Sequence, residues 1–214
     1  LFPDRLVESE LGEIPEGWEV KPVTALVSIV GGGTPKTSVS EYWGGDIPWF
    51  SVVDTPPPGS VYVVMTEKTI TQKGLQESSA RLVPEGTTII SARGTVGNLA
   101  MCGRPMAFNQ SCYGLRTSSD VGDCFVFLTA HNLVDRLQAM AHGSVFSTIT
   151  RQTIEAVSVA AAPRAVHLAF EATVRPFFSR IKVNVEESRI LSQVRDVLLP
   201  KLVSGEMRVD VETP

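Results

Sequence analysis

The polar residues best suited to contact a nucleic acid lie in four short segments of the sequence. They supply hydroxyl, amide and cationic side chains: Lys36, Thr37, Ser38, Ser91, Arg93, Thr95, Asn109, Gln110, Ser147, Thr148 and Arg151. Arginine pairs well with guanine, and asparagine or glutamine with adenine. Lysine, serine and threonine contact phosphates. Gly94 and Gly97 would let the backbone of one segment approach a ligand closely. Side chains of these types could contact a nucleic acid from several loops.

Each of these residues also has an ordinary structural interpretation. Lys36 is compatible with a solvated surface lysine, and Arg93 with a structural ion pair. Asn109 and Gln110 could cap buried backbone groups. Thr148 and Arg151 could start a strand. The sequence leaves these alternatives open.

Metal and nucleophile chemistry has little support in the sequence. Cys102, Cys112 and Cys124 form no C-x-x-C pair, and the three histidines have no metal-ligand spacing. The cysteines are predicted to be small buried apolar residues. A Cys/His nucleophile stays open as an alternative, although nothing marks a third, orienting residue. No phosphate-loop or Asn-Pro-Pro-Tyr-like methyltransferase motif is present, so no cofactor is expected in this chain.

Composition predicts a cytoplasmic globular protein. Charged residues make up 20% of the 214 residues, and no apolar run reaches the roughly 18 residues of a membrane span. The net charge is −4, and six acids with a single base fall within residues 1–20. The remainder is near neutral, so DNA binding would depend on a local patch and would be weak without partners. Because the chain opens on Leu1 rather than Met, we expect a processed, tagged or excised piece.

The predicted fold class is α+β, with a β-rich domain followed by a long helix. Residues 1–20 are predicted to be an extended lead-in, and residues 21–163 a β-rich domain with few helices. Its β-prone runs, at 60–65, 87–91 and 113–117, are separated by Gly/Pro turn signals. One helix is predicted over 124–141, with Gly143 as its cap. Residues 164–203 are helical and 204–214 form a polar tail.

The helical region is predicted to contain a break. Proline is not tolerated inside a helix, so we expect a short helix from Ala165, a kink at Pro176 and a second helix that Pro200 stops. The second helix, of about 24 residues, would be roughly 36 Å long. Its stripe contains Phe177, Ile181, Asn184, Leu191, Val194 and Leu198. The spacing fits equally a helix packed on its own domain and a coiled-coil strand whose register Asn184 sets.

Three stretches resemble the specificity subunits of type I restriction-modification systems. The first comprises LGEIPEGW (11–18), GGTPK (32–36) and YWGGDIPW (42–49). The second is IISARGTVG (89–97) with NQ at 109–110, and the third comprises RPF (175–177), RD (195–196) and LLPKLVSG (198–205). The ordered set covers nearly the whole chain. The start of the helical region departs from the family, since it lacks the usual Pro-rich, Gln-containing segment.

The resemblance implies a DNA-recognition module with no catalytic residues. Family members have two recognition domains and two conserved helices, so this chain looks like one half. It would recognise half of a bipartite double-stranded DNA site. Its helix would act as a spacer and dock methyltransferase subunits, which carry S-adenosylmethionine. A restriction and translocase subunit, with ATP and Mg, would join indirectly. The roughly 36 Å helix matches about one turn of DNA, as expected of a spacer.

Self-association or pairing with a second half through the helix is also expected, because its apolar arc would otherwise lack a partner. Two other classes of function remain as alternatives. One is a β-rich binding module for a ligand other than DNA, with a coiled-coil stem. The other is a hydrolase whose site carries no recognisable motif.

Overall fold

The computed structural model describes residues 3–57, 59–117, 121–142 and 148–208. Its strands are β1 Leu6–Ser9, β2 Gly12–Pro15, β3 Glu19–Pro22, β4 Val27–Gly31, β5 Trp43–Phe50, β6 Tyr62–Val63, β7 Lys68–Ile70, β8 Thr88–Ser91, β9 Leu99–Cys102, β10 Ala107–Phe108, β11 Cys112–Thr117 and β12 Ser158–Ala161. Its helices are α1 Gln72–Gln76, α2 Asp123–His142, α3 Arg151–Glu155 and α4 Arg164–Val203. Short 3-10 helices cover Val23–Ala25, Ser40–Tyr42 and Val52–Asp54.

A five-stranded sheet organises the domain, in the order β4-β11-β8-β9-β6. The β6–β9 pair is parallel and the other pairs are antiparallel. All four residues of β8 are buried, as its uninterrupted apolar run predicts for a central strand. A second sheet has three strands in the order β10-β5-β7, and these are interspersed along the chain with the strands of the first sheet. The prediction of an α+β fold with a β-rich domain is confirmed.

The helix predicted over 124–141 is present as α2. Val126, Ala130 and Leu137 recur at helical spacing and are buried with Ile90 and Leu115 of the sheet. Its predicted cap, Gly143, lies outside the described residues.

The described part of the predicted lead-in, residues 3–20, contains paired strands. Strands β1 and β2 form an antiparallel hairpin in which Ser9 pairs with Gly12. Strand β3 then pairs with β12, which lies far along the chain. This pairing joins the end of the lead-in to the rest of the domain. The backbone is extended as expected, but no local pattern indicates the distant β12 partner. The predicted tail, 204–214, is described only as far as residue 208.

The predicted break in the terminal helix is wrong. Helix α4 is continuous over 40 residues, through both Pro176 and Pro200, and is about 60 Å long rather than 36 Å. Proline removes one backbone hydrogen bond. Beside Pro176 the helix packs against the domain: Phe178 is only 6% exposed, between the rings of Tyr62 and Phe127. Burial of that ring offsets the lost hydrogen bond.

Packing of α4 changes along its length. Val166, His167, Glu171 and Phe178 are buried against the domain. Ile181 packs on the same cluster as Phe178, and Asn184 lines a groove against the segment 53–65. Both residues were predicted to face a partner helix. Ile181 instead packs on its own domain, whereas Asn184 lines the groove and stays exposed. Phe177, by contrast, is exposed.

Beyond Arg189, α4 has an apolar stripe that the described part of the domain leaves uncovered. We call this the distal stripe, and it comprises Ile190, Leu191, Val194, Val197 and Leu198. The first four are 46% to 68% exposed, and Leu198 is half-buried. The interpretation as a helix packed on its own domain therefore holds for the first half of α4, and the coiled-coil interpretation stays a prediction for the distal stripe.

Candidate nucleic-acid interface

Four strand ends meet at one end of the five-stranded sheet. Pairing places Gly31 of β4 opposite Tyr113, Cys112 of β11 opposite Ser91, and Ile90 of β8 opposite Leu99. The loop after β4, the loop before β11 and the β8–β9 loop therefore emerge side by side. We call this end of the sheet, together with its three loops, the recognition end.

The loop after β4 exposes the first predicted group. Lys36, Thr37 and Ser38 are all exposed. Their loop is held on both sides, because the Gly33 amide donates to the Phe108 carbonyl (2.9 Å) and the Trp43 indole donates to the Lys36 carbonyl (3.3 Å). The solvated interpretation of Lys36 is consistent with its exposure, which also leaves its ammonium accessible to a phosphate.

The loop before β11 brings the predicted amides to the same end. The Thr34 hydroxyl hydrogen-bonds the side-chain carbonyl of Gln110, which joins this loop to the Lys36 loop. The half-buried Asn109 accepts the Ser111 amide (3.0 Å) through its side chain. The capping interpretation therefore describes this contact of Asn109, whereas Gln110 is exposed. A β-carbon on Gly32 would collide with the Asn109 carbonyl, so glycine is required for the two loops to approach.

The β8–β9 loop, residues 92–98, is the Arg93 loop. Ser91 is 1% exposed, and its hydroxyl donates to the Thr95 carbonyl and accepts the Asn98 amide (2.8 Å). This side chain therefore shapes the loop and does not face solvent. Arg93 and Thr95 are exposed, and among the described residues Arg93 has no ion pair. The structural ion pair considered for Arg93 is thus not found there.

The fourth segment contacts the Arg93 loop from the other side. The Ala92 amide donates to the Ser111 carbonyl (2.7 Å), and the Ile149 amide donates to the Ala92 carbonyl (3.0 Å). Thr148 is half-buried. Arg151 starts α3 rather than a strand, because Thr150 caps that helix, and it pairs with Glu155 at 2.7 Å. Ser147 lies outside the described residues.

The backbone contacts thus bring together segments that are far apart in sequence. The exposed groups comprise one lysine, two arginines, an amide and several hydroxyls, which is a donor-rich set. Glu155 neutralises part of the charge through Arg151. Two residues outside the predicted set also support this end. The Trp43 indole donates to the Lys36 carbonyl, and the Gln138 side-chain amide donates to the Val96 carbonyl at 2.7 Å. Trp43 lies in the stretch YWGGDIPW (42–49), but no local signal identifies Gln138, because its contact joins positions 42 residues apart.

The cysteines are buried, as expected from their type. Burial raises the pKa of the Cys112 and Cys124 thiols to about 12, and raises that of Cys102 further. The nucleophilic thiolate is therefore scarce at neutral pH. Within the described ranges, no three His, Cys, Asp or Glu side chains are grouped as metal ligands. None of the described helices is both long and apolar enough to cross a bilayer.

Comparison with known proteins gives a consistent result. Residues 15–161 match the model of the type I restriction modification DNA specificity domain. The chain is 30% identical to the type I restriction enzyme MjaIX specificity subunit of Methanocaldococcus jannaschii over 71% of this chain and 36% of that protein. It is 26% identical to the HindI specificity subunit of Haemophilus influenzae over 96% of this chain and 46% of that protein.

Solved structures agree on the fold. The type I restriction-modification S subunit from M. genitalium matches with a TM-score of 0.63 and 14% identity, over 88% of this chain and 46% of that one. The HsdS subunit from Thermoanaerobacter tengcongensis matches with a TM-score of 0.56 and 18% identity, over 90% of this chain and 46% of that one. The chain therefore spans less than half the length of each of these four proteins.

Proposed function

Because the chain belongs to the type I restriction-modification DNA specificity family, we propose that its recognition end binds one half of a bipartite DNA site. The convergence of four separate segments at one end of a rigid sheet carries this proposal. Arg93 and Gln110 present donors and acceptors suited to base edges. Lys36, Thr37 and Ser38 suit phosphates.

The partners follow from the same proposal. The chain docks methyltransferase subunits, which bring S-adenosylmethionine, and through them a restriction and translocase subunit with ATP and Mg. We assign no catalytic residue to this chain and place its activity in the cytoplasm. Few cations face the recognition end, so the isolated chain binds DNA weakly and gains phosphate contacts from its partners.

The distal stripe supports a second part of the proposal. Five apolar residues on one helix face give the a/d-type spacing of a coiled coil, so a second half pairs there. Pairing places two recognition ends on one assembly, and each then contacts its own half-site. The full 60 Å of α4 no longer supports a direct match to one DNA turn, since much of the helix lies against its own domain.

The test is a gel shift with the methyltransferase subunits present. The probe is first selected from a duplex pool with randomised positions, which yields the preferred sequence. Arg93→Ala should then weaken binding to that duplex by about 1–3 kcal/mol and relax the preference at one base pair. Arg104→Ala is the matched control, because that exposed arginine follows the end of β9 and so lies at the opposite end of the sheet.

A recognition role would be rejected if the complex selected no sequence. An unchanged Arg93→Ala preference would reject that residue's assignment alone. A binding module for another ligand would show no salt-dependent DNA binding at all, which distinguishes the alternative.

A further inference from the structure

Helix α2 contacts the Arg93 loop directly. The Gln138 side-chain amide donates to the Val96 carbonyl at 2.7 Å, in a half-buried position. This hydrogen bond joins the last part of α2 to the loop, three residues after Arg93.

Gly97 allows the loop to lie flat against the helix. Its φ of +93° belongs to the left-handed region, and a β-carbon there would lie 2.6 Å from Gln138 Nε2 and 2.9 Å from Val134 Cγ1. A side chain at this position would therefore push the loop away from α2. Glycine satisfies both the backbone conformation and the close approach.

Helix α2 is itself fixed at two places. Leu137, next to Gln138, is buried in the core beneath the sheet. At the helix start, Glu171 of α4 accepts the backbone amides of Cys124 (3.3 Å) and Phe125 (3.2 Å). A carboxylate there satisfies amides without helical partners and complements the helix dipole. Gln138 therefore projects from an anchored support.

The Arg93 loop needs such a support because of its glycines. Gly94 has a φ of +77° and Gly97 one of +93°, so two flexible positions flank the segment after Arg93. Ser91 holds the loop from inside the sheet through the Thr95 carbonyl and the Asn98 amide. The next carbonyl, that of Val96, is held from the outside by Gln138.

We propose that Gln138 is a positioning residue for base recognition, which fixes the Arg93 loop so that the Arg93 guanidinium meets one base pair in a defined orientation. This inference rests on the proposed function. Gln138 itself touches no base. It limits the orientations of the loop, so its contribution appears in sequence discrimination rather than in general affinity for DNA.

The experiment uses the chain assembled with its methyltransferase subunits and the duplex pool with randomised positions. Gln138→Met keeps the side-chain length and removes the donor. We expect about 10-fold weaker discrimination at the base pair whose preference Arg93→Ala also relaxes, with the salt dependence of binding unchanged. Gln138→His, measured at pH 8 where the ring is neutral, restores an N–H donor without adding charge, so it should recover part of that discrimination. Asn132→Ala, an exposed polar position on α2, is the matched control.

A purely structural role predicts a different result. Gln138→Met would then lower the melting temperature and weaken binding to all duplexes equally, and that outcome would overturn the proposal. An unchanged preference in both Gln138 variants, with Arg93→Ala still effective, would also overturn it while leaving the proposed function intact. If the unmodified complex selects no sequence, the proposed function fails first.

Discussion

The recognition end and the distal stripe both face solvent, but they expose opposite chemistry. The recognition end presents polar side chains on loops whose backbones are held by hydrogen bonds from neighbouring segments. The distal stripe presents apolar side chains on a regular helix, with no described part of the domain against them. A prearranged polar surface suits a polar ligand, whereas an uncovered apolar face gains free energy by association. Under the proposed function, the chain therefore separates recognition from assembly.

The test with the largest expected effect compares two neighbouring residues of α4. Phe178→Ala should lower the free energy of unfolding by about 3–5 kcal/mol, because the buried ring packs on Tyr62 and Phe127. Phe177→Ala should change it by about 0.5 kcal/mol or less, since that ring is 68% exposed. Urea unfolding measures both. Equal effects would contradict the division of α4 into packed and exposed faces.

A second test targets the distal stripe. Val194→Asp should weaken self-association by about 100-fold, because each chain of a pair would bury an unpaired carboxylate. Sedimentation over a range of concentrations measures this change. Val53→Asp is the control, since Val53 is 73% exposed on the domain and lies off the stripe. A chain that stays strictly monomeric at high concentration before any substitution would refute pairing through the stripe.

The smallest expected effect concerns pH and the junction between domain and helix. His167 is 4% exposed, and burial lowers its pKa from the ordinary 6.5. The unfolded chain therefore takes up a proton first as the pH falls below about 6.5, and stability is lost in that range. The slope cannot exceed about 1.4 kcal/mol per pH unit.

Urea unfolding between pH 5 and 8 provides the measurement. His167→Gln should flatten this part of the profile, whereas His131→Gln, at an exposed position of α2, should leave it unchanged. A profile that is identical in all three proteins would show that His167 does not contribute to the pH dependence.

Much of the domain could be predicted from local patterns. Apolar β-prone runs between turn residues identified β8 and β11, and helical spacing identified α2. The paired contacts Thr34–Gln110 and Ala92–Ile149 could not be predicted, because they join positions far apart in sequence. The continuity of α4 through Pro176 could not be predicted for the same reason: the local cost of the proline is offset by the packing of Phe178 on Tyr62 and Phe127, which are distant in sequence.

Separation of the recognition end from α4 also bears on how such a protein can evolve. The exposed residues Lys36, Arg93 and Gln110 lie on loops, and the stripe that suits assembly lies on a helix that contributes none of them. If the recognition end binds DNA as proposed, substitutions in these loops would change the preferred DNA sequence without altering the surface proposed for pairing. The loops could then diversify in sequence while the pairing surface of the helix stays the same.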